Sequence, residues 1–339
     1  KQVDHFFPGE YHQSVFHFAK NDKALQEDME LQRGGTDNDD SWPFADCAAS
    51  DTTCSRVLAR VEGIRNQCGK LCDVQDKASL QPGLFFSERR TDIDCKVLFE
   101  MDGVDVPREQ DRAPDHLPKA LQGDFTMFGA AKVVPFYPDR KILDARYVSG
   151  KAKTPLWSFE LIEKMKRDVG MCNAETCPLR GPYGAKPTNV VIRSLQKVDL
   201  AHKSVLVIGS ESPWVEAICL FFGAAKVTTL EYGSIVSNHP QVAVITPTEF
   251  KSKYLDGTLE QFDAVVTFSS VEHSGLGRYG DALNPWGDII AIARAWCTTK
   301  KGGSLAIGVP FHATRDTIQF NAHRVYGPAR YPFLTTNWK

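Results

Sequence analysis

The sequence predicts an α/β protein in which a doubly wound, mostly parallel sheet occupies the second half of the chain. Three observations predict this fold class. After about residue 186, short apolar runs alternate with helical patterns, as in a parallel sheet covered by helices. Before that point, short apolar runs are interrupted by Pro and Gly. Seven of the nine cysteines also precede residue 180, so we expect residues 1–184 to form an irregular, cysteine-containing N-terminal region.

Composition is that of an ordinary globular protein. The 339 residues are 42% hydrophobic and 24% charged, which excludes a disordered, collagenous or coiled-coil architecture. With 40 Lys and Arg against 42 Asp and Glu, the net charge of −2 predicts no general attraction to nucleic acid or to anionic membranes. No apolar run approaches the ~20 residues of a membrane-spanning helix. The first residues show no signal-peptide pattern, so we expect no membrane insertion and no targeting segment in this sequence.

Cysteine spacing leaves two interpretations open. The early cysteines are Cys47, Cys54, Cys68, Cys72, Cys95, Cys172 and Cys177. They lack the CxxC spacing and the paired histidines of a zinc site, so no metal is predicted. They are either a disulfide framework in an oxidising lumen or reduced thiols in the cytosol. We favour the lumen of the secretory pathway, and Cys219 and Cys297 lie apart from this group in apolar helical stretches.

In the N-terminal region the pattern predicts few regular elements. Apolar residues at helical spacing predict a helix over residues 53–68 and another over residues 156–169. The Pro and Gly residues predict irregular structure with short strands over residues 78–155 and a linker over residues 177–184.

The second half, residues 185–339, predicts one sheet domain. Five strands are expected at residues 204–209, 226–231, 242–245, 262–268 and 304–309, with helices at 213–222 and 288–299. Ser212 and Pro213 suit the start of the first of these helices, and Gly223 suits its end. Ligands of such sheets bind at the carboxyl ends of the strands.

Two positions at that edge predict a nucleoside site. Gly209 stands at the first strand-to-helix turn, where a glycine allows a ligand to approach the backbone. Glu231 ends the second strand, where a carboxylate can accept both hydroxyls of a ribose. An ordinary tight turn and a solvated glutamate are the alternatives.

Glu211 decides between cofactors. It lies in the Gly209 turn, where its carboxylate would repel a pyrophosphate but attract the sulfonium and ammonium groups of S-adenosyl-L-methionine. We therefore expect S-adenosyl-L-methionine as the cofactor, with NAD or a nucleotide sugar as the alternative.

Several longer motifs carry a family resemblance. Residues 262–273, Phe-Asp-Ala-Val-Val-Thr-Phe-Ser-Ser-Val-Glu-His, resemble the fourth-strand motif of class I S-adenosylmethionine-dependent methyltransferases, and residues 300–305 resemble their Pro-Gly-Gly turn. Residues 275–281, 285–288 and 321–327 are similar to a methyltransferase-like family filed as domain of unknown function 268, and the resemblance covers about residues 185–335. It implies a Rossmann-like sheet of the class I methyltransferase type.

The end of the sequence departs from that pattern. Class I methyltransferases usually finish with two further strands, whereas this chain stops at Lys339. We expect either a shortened sheet, or a sheet completed by residues of the first half, or a sequence that ends early.

The expected site residues fall into three groups. Cofactor contacts are predicted for Gly209, Ser210, Glu211, Glu231, Tyr232, Glu249, Ser269 and Ser270, with Glu249 placed by the resemblance at the adenine. His273 is the predicted base, because it leaves the fourth strand beside the cofactor methyl and titrates near neutral pH. Asp281 would orient His273 or bind substrate, and Arg278 would hold an anionic group. Substrate contacts are predicted for Tyr279, His312, Asn321, His323, Arg324 and Tyr326.

Structural roles are the alternatives for these residues, namely a histidine bonded within its loop and arginines that tie the loop down. The function expected is methyl transfer to a hydroxyl-bearing acceptor, a small molecule or a glycan. The N-terminal region would cover the acceptor site. The expected location is the Golgi lumen, either as a free protein or as the luminal part of a membrane-anchored one. A nucleotide-sugar or NAD enzyme and a non-catalytic binding protein are the other hypotheses.

Overall fold

A computed structural model gives the fold. It describes residues 44–48, 50–81, 87–106, 117–134, 154–173, 176–279, 281–320 and 322–338, together with the backbone of one strand at residues 12–19.

The strands are β1 (His12–Ala19), β2 (Phe44–Ala45), β3 (Leu80–Gln81), β4 (Glu88–Arg89), β5 (Leu117–Pro118), β6 (Ala131–Val134), β7 (Leu156–Trp157), β8 (Ser204–Ile208), β9 (Lys226–Leu230), β10 (Val236–Ser237), β11 (Val242–Ile245), β12 (Phe262–Phe268), β13 (Thr299–Phe311), β14 (Asp316–Gln319) and β15 (His323–Val325). The helices are α1 (Thr52–Cys68), α2 (Cys95–Glu100), α3 (Gln122–Thr126), α4 (Phe159–Gly170), α5 (Ala185–Leu195), α6 (Trp214–Phe221), α7 (Pro247–Leu255), α8 (Gly287–Cys297) and α9 (Tyr331–Leu334).

A six-stranded parallel sheet forms the centre of the molecule, in the order β1-β13-β12-β8-β9-β11. All five strands predicted in the second half are present in it. The chain runs from β8 outwards to β9 and β11, then returns to β12 and continues to β13 on the other side. The strand order therefore reverses between β8 and β12, and a crevice opens at such a point between the carboxyl ends of the two strands.

Both faces of the sheet are buried, because alternate residues of β8 face opposite hydrophobic clusters. Val205 and Val207 pack with α4, α5 and α6 on one face. Leu206 and Ile208 pack with α7 and α8 on the other. Burying each of these side chains contributes about 1.5–3 kcal/mol. The predicted α/β class and parallel sheet are confirmed.

Strand β1 occupies one edge of the sheet. It runs parallel to β13, with His12 opposite Ser304 and Ala19 opposite Phe311. Of the three expectations for the end of the sequence, the structure therefore agrees with the second, in which residues of the first half extend the sheet.

Two predicted helices have different limits in the structure. Residues 156 and 157 form strand β7, and α4 begins after Ser158, whose hydroxyl accepts the Leu161 N–H at 3.1 Å. The last helix ends at Cys297 and not at residue 299, because β13 starts at Thr299 and pairs with Phe262.

The N-terminal region packs directly on the sheet domain. Helix α1 is capped by Asp51, whose carboxylate accepts the N–H groups of Thr53 and Cys54. Its buried face, including Val57 and Val61, belongs to the same apolar cluster as Ile289 of α8. One continuous core therefore joins the two halves of the chain.

The structure has four disulfide bonds, Cys47–Cys54, Cys68–Cys72, Cys95–Cys297 and Cys172–Cys177, so the predicted disulfide framework is confirmed. It differs from the prediction in one respect, because Cys297, which was expected to lie apart from the early cysteines, pairs with Cys95. This bond joins α2 to α8 across 202 residues of sequence. Cys219 is a buried free thiol. Disulfides persist in oxidising surroundings, so the protein belongs to an extracellular or secretory environment. Within the described ranges, no helix is both long and apolar enough to span a bilayer.

Candidate functional site

A cavity of about 170 Å³ lies at the carboxyl ends of β8, β9 and β12. Its walls come from the turns after these strands, from the loop at residues 273–284 and from α8. Val104 and Asp105 of the N-terminal region and Tyr183 of the predicted linker also line it. The cavity thus lies at the crevice that the strand order creates, and both halves of the chain contribute to it.

Gly209 joins the turn after β8 to the turn after β12. Its φ is +73°, and a Cβ atom added there would lie 1.8 Å from the Ser270 Oγ. Its N–H donates to the Leu230 carbonyl at 2.9 Å. Both the backbone conformation and the contact with Ser270 therefore require glycine.

The same turn holds the carboxylate of Glu231. The Ser210 N–H donates to Oε2 at 2.8 Å and the Tyr232 N–H donates to Oε1 at 2.7 Å. Burial raises the pKa of Glu231, while these backbone donors oppose the rise. A carboxylate has about four lone-pair sites, and these two bonds use one on each oxygen. Glu231 can therefore accept further hydrogen bonds from a ligand in the cavity.

A second buried carboxyl, Glu216 of α6, lies beneath the turn. It is fully buried and accepts hydrogen bonds from the Thr229 hydroxyl at 2.7 Å and the Ser210 hydroxyl at 3.1 Å. Burial raises the pKa of Glu216 to about 7. Glu216 was not among the predicted site residues, although an acidic side chain inside the apolar helix 213–222 is a signal of a buried polar site.

Acidic residues outnumber basic ones in the cavity wall. The acidic ones are Asp105, Glu211, Glu231 and Asp281, and the basic one is Arg294. Arg294 Nη1 donates to both carboxylate oxygens of Asp105, at 2.7 and 3.0 Å. The charge of Arg294 is therefore balanced within the wall, and the cavity has a surplus of acidic groups. The pair Asp105–Arg294 was not predicted.

The turn after β12 begins with a strained residue. Ser269 has a φ of +48°, a left-handed conformation that costs a non-glycine residue of order 1–3 kcal/mol. Its Oγ donates to Glu272 Oε1 at 2.7 Å and lies 2.6 Å from the Tyr183 hydroxyl oxygen. Glu272 and Tyr183 were not among the predicted site residues.

His273 is a buried, neutral histidine. Its Nδ1 lies within hydrogen-bond distance of the Ala322 carbonyl, which can only accept, so Nδ1 carries the proton and Nε2 does not. Burial, reinforced by the positive charge of Arg278, lowers the pKa of His273 well below its ordinary value. Arg278 Nη1 lies 3.5 Å from both His273 Nδ1 and the Ala322 oxygen.

Asp281 shapes the loop that it ends. Its Oδ2 accepts the Gly275 N–H and its Oδ1 accepts the Tyr279 N–H at 3.4 Å. Burial raises the pKa of Asp281, and the backbone donors oppose the rise. The side chain closes the loop and lines the cavity, instead of orienting His273 through a hydrogen bond.

The structure brings most of the predicted residues together. The cavity is lined by Gly209, Ser210, Glu211, Glu231, Tyr232, Ser269, Ser270, His273, Tyr279 and Asp281. Arg278, His312 and His323 lie outside its lining. His312 Nδ1 accepts the Thr314 N–H at 3.2 Å, and the ring of His323 lies 6.3 Å from that of His273. Asn321 lies outside the described residues.

Glu249 also lies outside the cavity lining. It is exposed and forms a capping box at the start of α7, where its Oε2 accepts the Thr246 N–H at 2.7 Å. This capping role replaces the predicted contact with adenine.

Arg324 and Tyr326 need a correction, because both are fully buried and neither lines the cavity. Arg324 Nη1 donates to the Ser274 carbonyl at 2.6 Å, and Nη2 to the Asn284 carbonyl at 3.3 Å. The Tyr326 hydroxyl donates to Asp288 Oδ2 at 2.8 Å. These residues fix the loop at residues 272–285 from within and do not contact a ligand in the cavity.

Fold and site together define an α/β protein with an acidic cavity at the carboxyl edge of a parallel sheet. Comparison with known families agrees with the motifs of the second half: residues 202–339 match the model of the family described as "Caenorhabditis protein of unknown function, DUF268". The predicted family is therefore confirmed over these residues. Neither the curated proteins nor the solved structures gave a significant match.

Proposed function

We propose that the protein is an S-adenosyl-L-methionine-dependent methyltransferase with a Rossmann-like sheet of the class I type, and that its acceptor is a hydroxyl-bearing molecule such as a glycan. The strand order β11-β9-β8-β12-β13 supports this proposal, because it places the Gly209 turn, Glu231 and the turn after β12 around one cavity.

The observation that carries the proposal is the acidic surplus of the cavity wall. Glu211, Glu231 and Asp281 line the cavity, and the positive charge of Arg294 is already balanced by Asp105. Such a wall attracts a ligand that carries sulfonium and ammonium groups and repels a pyrophosphate. This favours S-adenosyl-L-methionine over NAD and over nucleotide sugars.

The residues present fit this cofactor. Glu231 keeps acceptor capacity for the two ribose hydroxyls, and the Gly209 turn leaves no side chain of its own against the ligand. When bound, the cofactor would supply an electrophilic methyl group. The chain must then hold the acceptor oxygen in line and remove its proton. His273 can take that proton only weakly, since burial and Arg278 lower its pKa.

A hydroxyl acceptor and a Golgi location are parts of the same proposal. Disulfide bonds support an oxidising compartment, where glycans are modified. Asp105 and Tyr183, from outside the residues that match the family, line the cavity and would contact the acceptor as a cover.

Thermal-shift measurements test the proposal. We expect S-adenosylhomocysteine to raise the melting temperature, and NAD and UDP-sugars to leave it unchanged. A shift with NAD or a UDP-sugar alone would replace the proposal by a pyrophosphate-binding enzyme. No shift with any of the three would favour a non-catalytic protein.

A matched pair of variants locates the cofactor. Glu231→Gln keeps the size of the side chain but loses its charge, so it should lose most of the shift with S-adenosylhomocysteine relative to its own ligand-free melting temperature. Glu249→Gln is the control, because Glu249 is exposed and lies outside the cavity lining. Equal shifts in the two variants would show that Glu231 does not bind the ribose.

A further inference from the structure

We propose, resting on the proposed function, that Glu272 receives the proton of the acceptor hydroxyl, which is transferred through Tyr183 and Ser269. These three side chains form a hydrogen-bonded chain from the cavity wall to the protein interior.

The chain has a defined donor order. Ser269 Oγ donates to Glu272 Oε1 at 2.7 Å, so its proton is committed to the carboxylate. Tyr183 must then donate to Ser269 Oγ, at 2.6 Å. Tyr183 lines the cavity and is 53% exposed, whereas Glu272 is 0% exposed. The two hydroxyls therefore connect the cavity with a carboxyl that no acceptor molecule could contact directly.

The second oxygen of Glu272 supports a change of protonation state. Oε2 is buried and has no hydrogen-bond partner among the residues that the structure describes. A buried carboxylate oxygen without a donor is costly when charged. Protonation of Glu272 removes that charge, so the surroundings favour uptake of a proton.

Several charged and titratable groups surround Glu272. His273 Nε2 lies 3.6 Å from Oε1, and Arg324 Nη1 donates to the Glu272 carbonyl at 3.4 Å. Burial raises the pKa of Glu272 to about 7, while the Ser269 hydrogen bond, the backbone N–H groups of Glu272 and Ser270 and the charge of Arg278 oppose the rise. The charge of Glu272 also acts on three tyrosines, Tyr183, Tyr279 and Tyr326.

Glu272 is a stronger proton acceptor than His273 in this arrangement. The Nδ1 proton of His273 is committed to Ala322, and burial lowers the pKa of the ring well below its ordinary value. Burial changes the two groups in opposite directions, because it disfavours a charged imidazolium and a charged carboxylate alike. A base works best when its pKa is near the working pH, which applies to Glu272.

The transfer is balanced without an oxidant or a reductant. The bound cofactor would supply the methyl group, so the acceptor oxygen would gain a bond to the methyl carbon as the bond from that carbon to the sulfonium sulfur breaks. The hydroxyl proton passes to Tyr183, the Tyr183 proton to Ser269, and the Ser269 proton to Glu272. A sulfonium cation and a carboxylate anion are thereby replaced by a thioether and a carboxylic acid.

Infrared titration of the ligand-free full chain tests the proton acceptor directly, because a protonated carboxyl has its own C=O band. We expect a carboxyl band that titrates near pH 7 and is lost in Glu272→Gln. Glu216→Gln is the matched control, since Glu216 is equally buried with a pKa also near 7 but bonds to other hydroxyls. The C=O band of Glu216 should be separate from that of Glu272, so Glu216→Gln should remove it and leave the Glu272 band in place.

Ser269→Ala then tests the connection. Loss of the hydrogen bond to the carboxylate should raise the apparent pKa of the Glu272 band by about one unit and leave the Glu216 band unchanged. Tyr183→Phe should also raise the apparent pKa of the Glu272 band, but by less than Ser269→Ala does. The proposal is overturned if no band lost in Glu272→Gln titrates between pH 5 and pH 9, or if Ser269→Ala leaves that band in place.

Binding of S-adenosylhomocysteine separates this proposal from the proposed function. Glu272→Gln should keep the thermal shift of the unchanged protein, because Glu272 does not line the cavity. If the titration is as expected but S-adenosylhomocysteine does not bind even the unchanged protein, the methyltransferase proposal fails and the proton path stands. If S-adenosylhomocysteine binds and the titration fails, only the proton path is wrong.

Discussion

The side chain of Ser270 lies where Gly209 would carry a Cβ atom, with only 1.8 Å between that position and the Ser270 Oγ. Ser270 follows β12, and Gly209 follows β8. The two strands on either side of the crevice are thus in contact through a residue without a side chain. The geometry of the cavity depends on this contact.

Gly209→Ala should therefore destabilise the protein by about 2–5 kcal/mol, since a left-handed alanine costs about 1–2 kcal/mol and the clash adds about 1–3 kcal/mol. Gly257→Ala is the matched control, because Gly257 has a φ of +74° and no atom within 4 Å of its Cβ position. Gly257→Ala should therefore lower the free energy of unfolding only by the cost of a left-handed alanine, about 1–2 kcal/mol. Urea unfolding of the two variants measures the difference, and equal losses would contradict the contact.

The disulfide Cys95–Cys297 should stabilise the fold far more than Cys172–Cys177. The first closes a loop of 202 residues and the second one of 5. The chain-entropy description assigns them on the order of 5 and 2 kcal/mol respectively. Replacing both cysteines of each pair by alanine and comparing the free energies of unfolding checks this. A larger loss for the short loop would contradict the expectation.

Two buried carboxyls should make stability depend on pH. Burial raises the pKa of Glu216 and Glu272 from 4.5 to about 7. A carboxyl whose pKa is raised in the folded state makes its full contribution to stability at pH values below its pKa in the unfolded state. That contribution is lost as the pH rises towards its pKa in the folded state. Each should therefore lower stability between about pH 4.5 and pH 7, on the order of 3 kcal/mol.

Glu216→Gln and Glu272→Gln should each remove one part of this pH dependence. Unfolding free energies at pH 5 and pH 8 measure it, with the single variants and the double variant compared in parallel. The glutamine variants should be relatively more stable at pH 8 than at pH 5. A pH dependence identical to that of the unchanged protein would show that these carboxyls titrate normally.

Arg324→Lys should destabilise the protein by about 1–3 kcal/mol, because the lysine ammonium keeps the positive charge beside Asp288 but lacks the planar fork that donates to the carbonyls of Ser274 and Asn284 together. His312→Ala is the control. His312 was also a predicted substrate contact, but the hydrogen bonds of its ring are to Thr314. His312→Ala should change the free energy of unfolding by no more than ~0.5 kcal/mol in the same assay. If Arg324 bound substrate instead, Arg324→Lys would leave stability unchanged.

Local patterns in the sequence were sufficient for five of the six strands of the central sheet and for the cavity's two defining residues. The apolar runs predicted β8, β9, β11, β12 and β13, but not the edge strand β1 or the short strands β10, β14 and β15. The positions of Gly209 and Glu231 at the ends of β8 and β9 placed both at one edge of the sheet. Such signals are local, because strand burial and turn conformation depend on a few neighbouring residues.

Contacts between distant segments could not be predicted in this way. Asp105 and Arg294 are 189 residues apart, and Tyr183 and Ser269 are 86 apart. No periodicity in a single sequence marks such pairs. The role of Arg324 could not be predicted for a related reason. An arginine that donates to backbone carbonyls in the interior has no sequence pattern that separates it from one that binds an anion.

The position of β1 has a practical consequence for fragments of this protein. Residues 202–339 match the family, but within the full chain the outer edge of β13 pairs with residues 12–19, and Cys297 pairs with Cys95. A fragment limited to the family segment would expose an unpaired strand edge and a free thiol. Exposed edges pair with other chains, so such a fragment should self-associate during expression, whereas one that retains residues 12–19 and α2 should remain monodisperse.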